Sequence, residues 1–128
     1  MTATATIDVA AFRHNVRTLT HLVSPSAVML AVKADAYGHG MAQLAPEALA
    51  AGATSLAVLE LPAALALREA GVTAPLFAWL HGVHTDFLSA STHDIDLGIS
   101  ARWQIDSIVA SHPERPVRIH LKVDTGLH

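Results

Sequence analysis

Apolar positions recur along this chain in two alternating rhythms, one helical and one of short continuous runs. Val9, Phe12, Val16, Leu19 and Val23 fall on one stripe at helical spacing, with Asp8 placed to cap the helix. Ser24 and Pro25 stop it. Ala27 to Val32 is a continuous apolar run, which predicts a strand covered on both faces. Gly38, His39 and Gly40 read as a loop, and Met41, Leu44, Ala45, Ala48 and Leu49 mark a second helical face ended by Gly52. Leu56 to Leu59 predicts the next strand, and Pro62 the first turn of a helix reaching Ala70 and closed by Gly71. Pro75 to Leu80 predicts a third strand, followed by a short helix around Asp86 to Ala90. Leu97 to Ile99 predicts a fourth. Ser100 is placed to cap a helix carrying Ile105, Ile108 and Val109, and Val117 to Val123 predicts a fifth strand.

Strands alternating with helices predict an α/β fold with a parallel sheet and right-handed crossovers. An open doubly wound sheet and a (β/α)8 barrel both satisfy that alternation. A complete barrel takes about 250 residues, and this chain has 128. It also closes on a loop, Asp124 to His128, where a helix should start. Either the sheet is open by design or the chain is a truncated piece of a barrel, and the expectation is truncation.

Composition narrows the function classes. The chain is 52% hydrophobic and 15% charged, with a formal net charge of -3, which excludes a disordered tail and leaves no basic footprint for nucleic acid or an anionic membrane. With no cysteine there is no disulfide framework and no thiolate zinc site. Residues Met1 to Asp8 lack a signal-peptide pattern, and no apolar run approaches the roughly 20 residues that span a bilayer. A cytoplasmic protein is expected. The lysines are informative by their scarcity: only Lys33 and Lys122 occur, and each ends an apolar, β-prone run.

The segment Ala31 to Gly40 (AVKADAYGHG) concentrates the chemistry. It sets an amine, Lys33, at the C-terminal end of a strand, where parallel α/β proteins build active sites. Partial desolvation there favours a neutral, nucleophilic amine, as Schiff-base chemistry requires. Tyr37 supplies a hydroxyl donor. Gly38 and Gly40 let the backbone approach a ligand, and a helix start near Met41 favours an anion. A phosphorylated aldehyde suits the set. Taken singly, each piece has a plainer reading: a strand-end lysine is usually solvated, Gly-His-Gly is usually a loop, and His39 is structural or exposed.

Together they resemble the pyridoxal-phosphate attachment signature of alanine racemases. Ile7-Asp8-Val9 with His14-Asn15-Val16 resembles that family's N-terminal strand and helix. Leu67-Arg68-Glu69-Ala70-Gly71 resembles its second barrel helix, and His120 to Gly126 (HLKVDTG) its fifth-strand signature. The resemblance runs along essentially the whole chain and corresponds to the N-terminal part of a family member. It implies a (β/α)8 TIM-barrel segment of fold type III, with residues 1–128 as the N-terminal part and the later strands and C-terminal β-domain absent. It implies pyridoxal 5'-phosphate as cofactor, covalently held by Lys33, which also acts as one of two bases, on the D-alanine face. It implies that Tyr37 hydrogen-bonds the cofactor phosphate. Lys122 matches a position carbamylated in some members, where it orients an arginine that lies beyond His128. The family reaction interconverts L- and D-alanine, supplies D-alanine for peptidoglycan, and is carried out by a homodimer.

Two departures stand out. The acidic pair usual before the second helix is replaced by Leu61-Pro62-Ala63-Ala64, and the partner's tyrosine base is not in these residues. The 128 residues alone are thus expected to be inactive. Alternatives are a racemase for serine or another small amino acid, and a non-catalytic module that binds pyridoxal phosphate or associates with a partner chain. His81 and His84 have a spacing compatible with metal ligation, but Gly82 between them and the lack of an acidic partner argue against it. Asp94 and Asp96 read as loop residues before a strand, Glu60 as a helix-start carboxylate, and Trp79 and Trp103 as packing residues.

Overall fold

A computed structural model describes residues 3–126; the expectations for Met1, Thr2, Leu127 and His128 lie outside the described residues. The elements alternate as predicted except for one short helical turn, α2, between β1 and α3: α1 (Val9–Leu22), β1 (Met29–Ala31), α2 (Lys33–Gly38), α3 (Met41–Ala50), β2 (Ser55–Val58), α4 (Leu61–Glu69), β3 (Leu76–Ala78), α5 (Phe87–Thr92), β4 (Ile95–Ile99), α6 (Arg102–Ala110) and β5 (Ile119–Leu121). Asp8 caps α1, its carboxylate accepting from the Ala11 amide at 2.9 Å. Residues 3–8 form no strand, so the expected N-terminal strand at Ile7-Asp8-Val9 is replaced by a cap and a helix start. Ser100 does not cap α6. That position falls to Ala101, and the Gln104 side chain folds back to accept from the Ser100 and Ala101 amides.

Strand order decides between the two candidate architectures. Among the described residues the strands run β1-β2-β3-β4-β5, every neighbouring pair parallel. A doubly wound sheet reverses its order at a switch point; this sheet does not. The paired window also drifts toward the C-terminus, by one residue on β2, none on β3 and two on β4. The average, one residue per strand, is the stagger of an eight-stranded barrel with shear 8. The sheet is a barrel segment.

Its two faces differ chemically. Leu56, Val58, Leu76, Ala78, Leu97 and Ile99 point at the helices and form the core with Leu44, Ala48, Ala64, Leu67, Phe87 and Ile108. The opposite face carries Ala57, Phe77 and Asp96 in one register row, and Gly98 with His120 in the next. This is the concave, inner face. Asp96, read from the sequence as a loop residue, lies inside β4 and is buried, bonded to His120 at 3.2 Å and Arg118 at 3.3 Å. Its partners sit on β5 and just before it, beyond the reach of local pattern.

The outer strands are poorly covered. β1 was expected to be buried on both faces, yet Met29 is 44% exposed, because β1 is an edge strand among the described residues. On β5 and just after it, Ile119, Leu121 and Val123 are exposed apolar side chains. Open edges beside apolar faces favour strand addition and association. A polypeptide of these 128 residues is therefore expected to self-associate at micromolar concentration in light scattering coupled to size exclusion. A stable monomer would show that these edges are protected.

Candidate active site

Lys33 follows β1 directly, after Val32, whose amide extends the ladder to the Ala57 carbonyl at 2.8 Å. The chain then turns the wrong way. Ala34, Asp35, Ala36 and Tyr37 all have φ between 51° and 55°, giving a left-handed turn where the sequence predicts only a loop at residues 38–40. L-residues pay about 1–2 kcal/mol each for that conformation. Ala34 and Ala36 are strong right-handed helix formers, so nothing local calls for it. Gly38 and Gly40 continue with φ of 80° and 92°, which glycine accepts without strain.

The turn is held by hydrogen bonds. The Ala36 amide donates to Val32 O and the Gly40 amide to Asp35 O, both at 2.9 Å. The Asp35 carboxylate accepts from the Met41 amide at 2.7 Å. His39 Nδ1 lies 3.0 Å from the carbonyls of Ala36 and Tyr37, and since carbonyls only accept, Nδ1 carries the proton. The Met41 contact corrects one expectation. The start of α3 already holds a carboxylate, so its first amide is not free for a phosphate.

The turn carries Lys33 and Tyr37 onto the inner side of the sheet. The half-buried Lys33 Nζ lies 5.9 Å from the Tyr37 ring centroid and 5.7 Å from that of Trp79, within cation–π range. Trp79, which the sequence reads as a packing residue, also stands beside Lys33. It does pack: its ring stacks on Phe77 at 6.0 Å, and Phe77 meets His120 at 4.8 Å. The signal that could have found it is positional, because Trp79 follows β3 at the C-terminal end with the same parity as Phe77. Lys122 continues the β5 ladder, its amide donating to Ile99 O at 2.8 Å. Strand parity sets it on the His120 face. Its side chain is exposed, whereas the amine of Lys33 meets the rings of Tyr37 and Trp79.

The histidine pair separates. The His81 ring is buried against Phe87 and donates from Nε2 to Ala78 O at 3.1 Å, while His84 is exposed. Burial lowers the His81 pKa, against the opposing pull of the Ala78 carbonyl. Among the described residues no group of three or more metal-ligating side chains occurs. Glu60 precedes α4 without a side-chain capping bond and lines a cavity of about 700 Å³ with Leu61, Leu80, His81 and Asp86.

The chemistry of the Lys33 surroundings fits pyridoxal phosphate. A primary amine can meet the aldehyde, an indole face can flank a planar ring, and a phenolic O–H can reach a phosphate oxygen. A singly wound, staggered parallel sheet with a lysine at its C-terminal end defines a (β/α)8-barrel segment. A sequence profile described as "Alanine racemase, N-terminal domain" matches residues 7–128. The chain belongs to the alanine racemase family. It is 49% identical over 127 residues to the alanine racemase of Mycolicibacterium smegmatis, covering 98% of this chain and 33% of that one. Its fold matches an alanine racemase from a D-cycloserine-producing Streptomyces lavendulae with a TM-score of 0.91 at 39% identity, covering 98% of this chain and 35% of the other. The alanine racemase from Streptomyces coelicolor A3(2) matches with a TM-score of 0.90 at 39% identity, covering 94% and 33%. The chain thus spans about a third of the length of the relatives it matches.

Proposed function

We propose that residues 1–128 form the cofactor-anchoring part of a pyridoxal-phosphate-dependent alanine racemase that interconverts L- and D-alanine. The observation that carries this reading is the placement of Lys33, an amine at the inner C-terminal end of β1 within cation–π range of both Tyr37 and Trp79. In this role Lys33 holds the cofactor through its Nζ. The same atom, once free, takes or returns the substrate Cα proton on the D-alanine face. Tyr37 donates its hydroxyl to a phosphate oxygen, and Trp79 excludes water from one side of the reacting atoms. Lys122 stands on the His120 face of β5 as a support for the substrate end of the site, where carbamylation would turn its cation into an anion. When bound, pyridoxal phosphate supplies electron withdrawal from the substrate Cα.

Racemisation needs a base on each face of that carbon, and this chain offers Lys33 for one. The reading assigns the other to the length of the relatives that these residues do not span. It also places the enzyme in the cytoplasm as a homodimer, providing D-alanine for peptidoglycan.

The test is covalent trapping. Borohydride reduction after incubation with pyridoxal phosphate is expected to put the label on Lys33, and Lys33→Ala is expected to remove it. With two lysines in the chain, peptide mapping separates them cleanly. Equal labelling of Lys33 and Lys122, or none at Lys33, would exclude the assignment.

A further inference from the structure

We propose that Asp35 and His39, which no role in the reaction itself requires, are positioning residues that hold Lys33 and Tyr37 in place by locking the left-handed turn. The inference rests on the cofactor-anchoring role proposed for Lys33 and deepens it.

Four consecutive non-glycine residues in the left-handed region form a conformation the local sequence does not favour. It persists only if its surroundings over-determine it, and the side chains that do so belong to the segment itself. Asp35 acts twice. Its carbonyl accepts from the Gly40 amide at 2.9 Å and its carboxylate from the Met41 amide at 2.7 Å, so one residue joins the middle of the turn to the first residue of α3. His39 reaches back from the other side and donates from Nδ1 to the Ala36 and Tyr37 carbonyls, the last two residues of the left-handed run. Ala36 is buried against the core and anchors the turn's inner side. Asp35 and His39 are both exposed, so packing alone does not explain them.

The consequence follows from geometry. Lys33 and Tyr37 stand at the two ends of this turn, and Tyr37 is 59% exposed, with little packing of its own to hold it. If the turn relaxed toward a right-handed or extended path, Tyr37 would move relative to β1, and Lys33 would lose the ring on one side. The turn sets their separation. Asp35 and His39 set the turn.

Competitive acetylation of the 128-residue chain tests this, run below the micromolar concentrations at which β5 is expected to associate, with exposed Lys122 as the internal reference for Lys33. In Asp35→Ala the Lys33:Lys122 labelling ratio is expected to rise several-fold, and exchange at the Gly40 and Met41 amides to quicken about tenfold, the effect of losing a helix cap. Asp35→Asn keeps an acceptor oxygen and is expected to stay within about twofold of the parent. Adding Ala34→Gly to Asp35→Ala is expected to return the ratio toward the parent, because glycine removes strain from the turn without restoring the cap. Trapping of pyridoxal phosphate at Lys33 is expected to fall in Asp35→Ala and recover in Asp35→Asn. Faster Met41 exchange with an unchanged ratio would make Asp35 a simple helix cap and overturn the proposal. An Asp35→Asn variant behaving like Asp35→Ala would do so too. If Asp35→Ala does not fold, Ala34→Gly alone decides: slower exchange at Gly40 supports the lock, and faster exchange refutes it. Failure of the parent to trap pyridoxal phosphate would defeat the cofactor role, while the acetylation ratio, measured without cofactor, would still decide the lock.

Discussion

Replacing Arg68 by alanine is expected to destabilise the fold by about 3 kcal/mol, a large share of the 5–15 kcal/mol that typical domains possess. The guanidinium bonds four carbonyls at once. Nη1 donates to Val72 O and Ala74 O at 2.7 Å, Nε to His93 O at 2.9 Å, and Nη2 to Asp94 O at 2.9 Å. It therefore ties the end of α4 and the entry of β3 to the turn that leads into β4. These points lie at the N-terminal ends of the strands, opposite the Lys33 site, where a barrel residue serves stability. Burial lowers the Arg68 pKa, with Asp94 and Asp96 acting in the opposite direction. The side chain is thus partly desolvated and is held by carbonyl dipoles. Lysine, a point charge on a flexible stem, cannot match the planar fork, so Arg68→Lys is expected to recover less than half of the loss. Urea unfolding at fixed protein concentration measures both variants, since association makes the midpoint concentration-dependent. A loss below about 1 kcal/mol would mean that water replaces the clamp.

Gly98→Ala is expected to combine a stability loss of about 2–3 kcal/mol with damage to the site. A Cβ on Gly98 would lie 2.7 Å from Trp79 Cβ, 2.9 Å from Trp79 Cα and 3.0 Å from Phe77 Cζ. One of those atoms is backbone, so no rotamer change relieves the overlap. β3 or β4 must shift, and Trp79 moves with β3. Its distance from Lys33 then changes, and trapping of pyridoxal phosphate at Lys33 is expected to fall along with stability. Trp79 emission, recorded in a Trp103→Phe background, reports the movement directly. Unchanged emission and an unchanged unfolding midpoint would show that the sheet accommodates the methyl group.

The candidate site was legible in part, and each miss has a cause. Lys33 and Tyr37 stand out in the sequence because an amine after a β-prone run, followed by a hydroxyl and two glycines, is a local pattern. Trp79 was missed because an aromatic residue near a strand end packs in most proteins. Its approach to Lys33 depends on β2 lying between β1 and β3. Asp96 was read as a loop residue because its partners Arg118 and His120 come 22 and 24 residues later. The left-handed turn ran against local propensity, since two of its four residues are alanine. His39 braces it from within, and the Asp35 carboxylate acts only once Met41 begins α3.

Sequence alone determined the alternation of helices and strands, the cap at Asp8, the helix-ending glycines Gly52 and Gly71, and the lysine at the mouth of β1. These are short-range matters, settled by periodicity, capping and backbone freedom within a few residues. Tertiary structure decided what depends on strand order and register. It chose a singly wound, staggered sheet over a doubly wound one, and set Asp96 and His120 on the inner face. It brought Trp79 to Lys33. The physical reason is that parallel strands exchange no local contact: their neighbours are selected by which faces can be buried together, and that selection is made across the whole sheet at once.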